Sequence, residues 1–205
     1  MFRFGITMRE TNAIGYDEPR DTIAQDWGNY MSTTFPSHSW VCIPNMGLKA
    51  VEYFAKWDLN VLILSGGDNL GVTENRDNTE LHLLSYALKN NIPVIGVCRG
   101  LQLMHSYFGG RIKIGNEQFI EEHRAHDHKV ILNNRTYLSN SFHVNQIDEN
   151  TLNKEFKTIA RCCKFNSIEA IQSKNILGIM WHPERIMTEN AWSNNLIFNF
   201  LKNDE

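Results

Sequence analysis

The sequence predicts an α/β fold in which a mostly parallel β-sheet is covered by helices on both faces, with a small antiparallel extension. Two observations support this prediction. Between residues 39 and 108, short continuous apolar runs alternate with segments whose apolar residues have helical spacing. Such runs are typical of strands that are buried on both faces, and the alternation is typical of a parallel sheet. Shorter strands follow in the second half of the chain, where we expect the antiparallel extension.

The elements follow in order along the chain. Predicted strands, each short, apolar and bordered by polar or turn residues, lie at 2–7, 39–43, 61–64, 94–97, 128–132, 136–138, 157–162, 167–172 and 176–181. Predicted helices lie at about 22–33, 48–57, 77–90, 101–108 and 190–202. The segment between Asn12 and Ser39 is the least regular, because prolines, charges and aromatic side chains are mixed there. No internal repeat and no Pro- or Ser-rich linker divides the chain, so we expect residues 1–205 to form a single domain.

Composition and charge restrict the partners. The 205 residues are 42% hydrophobic, enough for a substantial core, and 20 Lys and Arg against 23 Asp and Glu give a net charge of −3. This charge provides no general attraction to nucleic acid or to anionic membranes. No run approaches the roughly 20 apolar residues of a membrane span, so we expect a cytoplasmic protein. The four cysteines, Cys42, Cys98, Cys162 and Cys163, lack metal-ligand spacing and are expected to be reduced.

Cys98 stands where a buried strand gives way to a helix. Gly96 and Gly100 flank it at a distance of two residues, as a tight turn requires when its side chain projects into a cleft. A thiol at the N-terminus of a helix is also favoured as thiolate by the helix dipole. The alternative is a buried core cysteine, the usual fate of a free thiol. We interpret Cys98 as a candidate nucleophile.

Two further motifs supply the other parts of a nucleophilic site. His182 and Glu184 are separated by one residue, so in extended backbone they project to the same side, as a general base and its orienting carboxylate. Ser65-Gly66-Gly67-Asp68 follows a buried strand, and the backbone N–H groups of Gly67 and of Arg99, the residue after Cys98, could form an oxyanion hole. All three motifs are expected at the carboxyl ends of parallel strands.

A family resemblance rests on these motifs. Gly96-Val-Cys98-Arg-Gly-Leu-Gln102, Ser65-Gly-Gly-Asp68 and Trp181-His-Pro-Glu184 resemble the three motifs of the class I glutamine amidotransferase superfamily, whose fold is flavodoxin-like. Together with Asn140-Ser-Phe-His143, they resemble the free-standing γ-glutamyl hydrolase branch, the peptidase C26 family. The resemblance implies a catalytic set of Cys98, His182 and Glu184, and an oxyanion hole of Gly67 and Arg99. It also implies substrate-binding residues Gly66, Asp68, Gln102, Ser141, Phe142, His143 and Val144.

The resemblance implies a hydrolase for a small-molecule γ-glutamyl substrate that needs water and no cofactor. Arg9 and Arg20, in the loop between the first two predicted strands, would suit a diphosphate, which favours a nucleotide-linked substrate over γ-glutamyl-aminobutyrate or another γ-glutamyl amine. Arg111 and Lys113 stand where many relatives carry a different pattern. A glutaminase subunit that feeds ammonia to a synthase, and a non-catalytic sensor of glutamyl ligands, are the alternatives.

The segment His123-Arg-Ala-His126-Asp-His128 allows a metal interpretation, because three imidazoles and a carboxylate lie within six residues. We favour an exposed polar loop leading into the strand at 128–132, and another interpretation places one of these histidines against a substrate phosphate. His143 is interpreted as a wall of the substrate pocket and not as a second base. We therefore expect no metal site.

Overall fold

The structure is a computed structural model that describes residues 1–185 and 190–202. Its strands are β1 (Arg3–Thr7), β2 (Arg9–Asn12), β3 (Pro19–Thr22), β4 (Ser39–Ile43), β5 (Val61–Leu64), β6 (Val94–Val97), β7 (Ile112–Ile114), β8 (Arg124–Leu132), β9 (Arg135–Phe142), β10 (Asn145–Ile147), β11 (Lys157–Cys162), β12 (Ile168–Gln172) and β13 (Ile176–Ile179). Its helices are α1 (Gln25–Thr34), α2 (Lys49–Lys56), α3 (Glu74–Lys89), α4 (Arg99–Tyr107), α5 (Glu117–His123) and α6 (Ala191–Lys202). A 3₁₀ turn lies at Glu149–Thr151.

In the described part of the chain, nine strands form one sheet in the order β4-β1-β5-β6-β13-β12-β11-β8-β9. The first five pair in parallel, and from β13 onward each pair is antiparallel. This arrangement confirms the predicted α/β class with an antiparallel extension. The extension is continuous with the parallel strands, so residues from both parts of the sheet can meet. That residues 1–205 form a single domain stays a prediction.

The two faces of the sheet carry separate apolar clusters, as the pattern of β5 illustrates. Val61 and Ile63 face a cluster that includes buried side chains of α1 and α6. Leu62 and Leu64 face a second cluster with side chains of α2, α3 and α4. Successive side chains of a strand point to opposite faces, so an uninterrupted apolar run requires cover on both sides. The helices therefore lie on both faces, as predicted.

The predicted elements are present with shifted ends, but several others were missed. β2 and β3 form a hairpin that leads into the irregular segment between Asn12 and Ser39, and their side chains are mainly polar and exposed. β7, β10 and α5 were also not predicted. α3 begins at Glu74 and not at residue 77. A pattern of burial is what reveals an element in a sequence, and the β2–β3 hairpin buries little.

The interpretation of 123–128 as an exposed loop is wrong. His123 ends α5 and is fully buried, and β8 begins at Arg124, four residues before the predicted strand. His126 alone of the three histidines is exposed. The alternation of exposed and buried residues in β8 becomes regular only from His128, because its first half pairs with the end of β9 through an irregular register. Within the described ranges, no helix is long and apolar enough to cross a membrane.

Candidate active site

The turn at Cys98 has the strained geometry that the flanking glycines predict. Cys98 lies between β6 and α4 with φ 51° and ψ −100°, a conformation that costs a non-glycine residue of the order of 1–3 kcal/mol. Its N–H donates to the Ile179 carbonyl at 2.7 Å, which ties the turn to β13. A Cβ at Gly96 would lie 2.2 Å from Met104 Cε, and one at Gly100 would lie 2.2 Å from the Leu64 carbonyl oxygen. Gly96 thus lets β6 approach α4 closely, and Gly100 lets α4 approach the end of β5.

His182 is held from two sides. Its Nδ1 lies 2.7 Å from Glu184 Oε1, so the predicted base and orienting carboxylate are in contact. Asn140, on β9, accepts a hydrogen bond from the His182 N–H at 2.9 Å and donates one to the His182 carbonyl at 2.8 Å. The ring of Phe142 meets the imidazole edge-on at 5.6 Å between centroids. The position of His182 therefore depends on the antiparallel extension as well as on its own turn.

Cys98 and His182 favour their charged forms, a thiolate and an imidazolium. Burial opposes ionisation of the Cys98 thiol, but its interaction with His182 outweighs burial and the pKa of Cys98 lies below its usual value. Burial also opposes protonation of His182, yet the Glu184 carboxylate, followed by Cys98, raises the pKa of His182 to about 9. Each partner stabilises the charged form of the other. The arrangement can present a nucleophile and a proton donor at neutral pH.

The loop of Ser65, Gly66, Gly67 and Asp68 that follows β5, called the glycine loop below, packs directly against His182. A Cβ on Gly66 would lie 2.6 Å from His182 Cε1, so the absence of a side chain lets the imidazole reach its place. Gly67 has φ 146°, and a Cβ there would lie 2.3 Å from Arg76 Nη1. Arg99 is the first residue of α4, so its backbone N–H has no acceptor within the helix. The predicted oxyanion donors are thus a glycine in a backbone conformation that favours glycine and a free helix amide.

A buried charge network lies beneath the loop. The Arg76 guanidinium donates to the carbonyls of Ser65 and Gly66 at 2.9 and 3.0 Å and pairs with Glu80 at 3.0 Å. The Arg99 side chain pairs with Glu80 and Asp77. The sequence patterns did not reveal this network. The i, i+4 spacing of Arg76 and Glu80 on α3 was its only local signal, and such pairs usually lie on the surface.

The remaining predicted substrate residues separate into two groups. Gln102 meets Asn145, whose side-chain amide donates to Gln102 Oε1 at 3.2 Å and to Asn69 Oδ1 at 2.8 Å. Asp68 lies near the surface and pairs with Arg9 at 3.1 Å. The second group consists of Ser141, His143 and Val144.

Ser141 is fully buried, and its hydroxyl donates to the His123 carbonyl. The carbonyl of Val144 accepts from Gly115 N–H, and His143 is buried beside Glu169. Of these three residues, His143 interacts electrostatically with Cys98. Burial lowers the pKa of His143, but Glu169 and, after it, Cys98 raise this pKa above its usual value.

Two adjoining cavities open beside Glu184. The smaller is bounded by Arg9, Trp27, the glycine loop and Arg185. The larger, of about 550 Å³, is bounded by α1, α6 and the segment from Pro183 to Arg185. Arg185 stacks over the Phe142 ring at 3.9 Å. Of the two loop arginines considered for a diphosphate, Arg9 lies at the cleft, whereas Arg20 pairs with Glu18 in the β2–β3 hairpin.

Comparison with known proteins shows the family of the chain. A family model for peptidase C26 matches residues 55–184. The chain belongs to the peptidase C26 family. This C26 chain is 32% identical to the gamma-glutamyl-CDP-amidate hydrolase of Campylobacter jejuni, with 93% of the chain and 92% of that protein covered.

More distant relatives connect the C26 chain to glutamine amidotransferases. It is 31% identical to one subunit of the glutamine-hydrolysing GMP synthase of Methanothrix thermoacetophila, over 69% of the chain and 75% of that relative. It shares its fold with a glutamine amidotransferase of Thermotoga maritima, with a TM-score of 0.63 and 15% identity over 98% of this chain and 84% of that one. The comparisons support an amide-hydrolysing enzyme of the class I glutamine amidotransferase fold.

Proposed function

We propose that this C26 chain is a cysteine-dependent hydrolase that cleaves a γ-glutamyl amide-type bond through a γ-glutamyl thioester. The observation that carries the proposal is the buried arrangement of Cys98, His182 and Glu184, with the hydrogen bond of 2.7 Å between His182 and Glu184. The pKa directions of Cys98 and His182 support a thiolate at rest. A cysteine thiolate with a charged histidine beside it is the pattern expected for acyl transfer.

In the proposed reaction the Cys98 thiolate attacks the γ-carbonyl carbon and forms a C–S bond. The oxyanion that develops accepts hydrogen bonds from the backbone N–H groups of Gly67 and Arg99. His182 donates its proton to the departing nitrogen as the C–N bond breaks, and then takes a proton from the attacking water. Hydrolysis of the thioester releases glutamate and restores the thiolate. Glu184 keeps the imidazole oriented through both proton transfers.

Gln102 and Asn145 are proposed to hold the glutamyl end of the substrate. Gln102 lies one helical turn after Cys98 and accepts a hydrogen bond from the side-chain amide of Asn145. The same amide also donates to Asn69. A network of amides offers both donors and acceptors, which the α-amino and α-carboxylate groups of glutamate require. We assign the wall of the cleft to Gly66, Asp68 and Phe142. The residues that support this wall are Ser141, His143 and Val144.

For the leaving group we favour a nucleotide-linked nitrogen, in γ-glutamyl-CDP-amidate, which would give cytidine diphosphoramidate for capsule modification. The 32% identical relative is named for this substrate. Arg9 and Arg185 both border the cavity beside Glu184, and guanidinium groups suit a diphosphate. A γ-glutamyl-aminobutyrate hydrolase is the alternative. A glutaminase subunit is a second candidate, which the GMP synthase relative favours.

A comparison of substrates with matched arginine variants tests this assignment. Glutamate release is measured by mass spectrometry from γ-glutamyl-CDP-amidate, γ-glutamyl-aminobutyrate and glutamine. We expect the highest kcat/KM for the nucleotide, and a loss of roughly 10–100-fold for that substrate alone in Arg9→Met, because a charge-assisted hydrogen bond is removed. Arg20→Met is the control, since Arg20 pairs with Glu18 in the β2–β3 hairpin, whereas Arg9 borders the cavity beside Glu184. Equal or reversed efficiencies count against the nucleotide, and activity confined to glutamine in the presence of a synthase favours the glutaminase.

The pH dependence of kcat/KM should report His182. Its raised pKa means that the imidazolium persists until the pH rises through about 9, so activity is expected to fall above that value. Glu184→Gln removes the main cause that raises this pKa and should move the alkaline limb toward about 6.5. At pH 8 the smaller imidazolium fraction alone lowers kcat/KM roughly 10–30-fold.

The measurement is kcat/KM from pH 5 to pH 10 for the wild type and the variant. Glu122→Gln is the control, because Glu122 pairs with Lys164 at the surface. An alkaline limb that stays near pH 9 in Glu184→Gln would show that the carboxylate does not control the titration of His182.

A further inference from the structure

A second group of titratable side chains lies beside the candidate active site, and none of them attacks the substrate or transfers a proton in the proposed reaction. We call it the histidine cluster, and its members come from five different segments of the chain: His123, His128, His143, Cys162 and Glu169. Their exposed fractions are 0%, 9%, 4%, 3% and 0%, in that order. Buried ionisable groups are rare unless they are paired or bind a metal. The histidine cluster therefore needs a physical explanation.

The imidazoles converge on one carboxylate at distances too long for good hydrogen bonds. His143 Nε2 lies 3.5 Å and His128 Nε2 lies 3.6 Å from Glu169 Oε2, and His123 Nε2 lies 3.9 Å from Glu169 Oε1. Donor atoms of His123, His143 and Glu169 all lie within 4.8 Å of one another. Two ligands of a tetrahedral zinc ion, each at about 2.0–2.2 Å from the metal, are roughly 3.3–3.6 Å apart. The spacing of His123, His143 and Glu169 is close to that of a ligand set, and His123, His128 and Cys162 form a second group of the same kind.

The protonation of two histidines follows from their backbone contacts. Nδ1 of His123 lies 2.9 Å from the Phe119 carbonyl, and Nδ1 of His143 lies 2.9 Å from the Asn145 carbonyl. A carbonyl oxygen only accepts, so each Nδ1 carries the hydrogen, and in the neutral form of each ring Nε2 faces Glu169 as an acceptor. An ionised carboxylate also only accepts. With neutral rings the histidine cluster sets acceptor against acceptor, and a cation between them, either a proton or a metal ion, satisfies both.

The polar atoms of the histidine cluster are also short of partners. In the described part of the chain, His123 Nε2, His143 Nε2, both ring nitrogens of His128 and Glu169 Oε2 form no hydrogen bond. A proton on His143 would satisfy its own contact with Glu169, but it would leave His123 unsatisfied. A second proton, on His123, would add a buried positive charge that the single carboxylate of Glu169 cannot balance. Protons alone do not satisfy the whole cluster.

An ion can reach the histidine cluster from the surface. A cavity of about 490 Å³ is bounded by His123, His128 and Cys162, and its charged lining is mixed, with two acidic and two basic side chains: Glu122, Asp127, Lys129 and Lys164. A metal site needs such an entry path as well as ligands of suitable type. Imidazole and carboxylate ligands suit zinc and related transition metals, whereas magnesium and calcium prefer oxygen alone.

We propose that the histidine cluster binds one divalent transition-metal cation of the zinc type, held by His123 Nε2, His143 Nε2 and a carboxylate oxygen of Glu169, with His128 as the fourth ligand. The Nδ1–H groups that donate to backbone carbonyls are the outer contacts that orient metal-binding histidines. His126, which the sequence groups with His123 and His128, is exposed and is not a ligand. The cation joins α5, β8, β12 and the segment after β9. It therefore supports the strand whose Asn140 holds His182, and this role does not depend on the identity of the substrate.

The test uses the full chain and Zn²⁺ alone. The protein is stripped with a chelator, given Zn²⁺, desalted and analysed for metal, and its Tm is measured with and without the ion. We expect about one equivalent of Zn²⁺ to be retained per chain, with a rise in Tm of roughly 5–10 °C at free Zn²⁺ about 100-fold above Kd. His126→Ala is the matched control and should bind as the wild type does. Wild-type protein that neither retains Zn²⁺ nor gains stability from it would overturn the proposal.

Variants distinguish the histidine cluster from the thiol and imidazole of the candidate active site, which could also take up zinc. His123→Gln and Glu169→Gln should lose the bound ion and the rise in Tm, whereas Cys98→Ala should keep both. Loss of the ion in Cys98→Ala, or its retention in both other variants, contradicts the assignment. Should the two buried variants fail to fold by circular dichroism, Co²⁺ replaces Zn²⁺ in folded Cys98→Ala protein. Strong visible bands of a four-coordinate cobalt site then support the proposal, and the weak spectrum of hydrated cobalt overturns it.

Discussion

Replacing Cys98 with alanine should lower glutamate release by roughly 10⁴-fold or more, because the nucleophile cannot be replaced by its neighbours. The fold should survive. The change removes one sulfur from a buried position, and alanine meets the same backbone conformation at φ 51° that cysteine already adopts. The measurement is single-turnover and steady-state release of glutamate from γ-glutamyl-CDP-amidate, with circular dichroism and Tm as checks on the structure.

Cys163→Ala is the matched control for this variant. Cys163 is an exposed free thiol, so its loss removes a cysteine without touching the cleft. A γ-glutamyl electrophile should label the wild type and Cys163→Ala, and should fail to label Cys98→Ala. Undiminished hydrolysis by Cys98→Ala would exclude the covalent mechanism, and a folded wild type that resists labelling would favour the non-catalytic sensor.

Replacing Glu80 with glutamine should lower the free energy of unfolding by about 3–5 kcal/mol. Glu80 is fully buried and is the common partner of Arg76 and Arg99, and it accepts a hydrogen bond from the Thr7 hydroxyl at 2.7 Å. Without its charge, two buried guanidinium groups face each other with only Asp77 in compensation. Breaking a buried pair costs far more than the pair itself contributes, because an uncompensated charge remains out of water. The Tm should fall by roughly 6–20 °C for a chain of this size.

Glu149→Gln is the control for an exposed pair. Glu149 pairs with Arg161 at the surface, where the loss of one partner costs about 0–1 kcal/mol. Denaturant unfolding of both variants gives the comparison. Glu80→Gln should also lower kcat, since Arg76 holds the carbonyls of Ser65 and Gly66 in the glycine loop. A loss of stability no larger than that of Glu149→Gln would show that the network tolerates a missing charge.

The secondary structure was predictable where burial imposes a period. β5 and β6 are uninterrupted apolar runs, and both lie where the pattern places them. The hairpin of β2 and β3 was missed because its residues are polar and its pairing depends on backbone hydrogen bonds. Helix α5 was missed because it is short, and its buried residues are an aromatic ring and a histidine that fits no apolar pattern.

The candidate site was predictable in the parts that are local in sequence. The glycines around Cys98 and the single residue between His182 and Glu184 are short-range signals, and the structure brings these groups together. Asn140 is 42 residues from His182, and nothing in its neighbourhood indicates a hydrogen bond to that backbone. The same holds for Asn145, which meets Gln102 across 43 residues.

The sequence by itself thus determined the α/β class, the strained turn at Cys98 and the pairing of His182 with Glu184. Each of these follows from the spacing of a few residues, because steric limits and side-chain direction act within one or two turns of backbone. Only the tertiary structure decided the Arg76, Glu80 and Arg99 network and the histidine cluster. Their members are polar side chains from distant elements, and a polar residue shows its burial only when the register of the sheet and the packing of the helices place its partners around it.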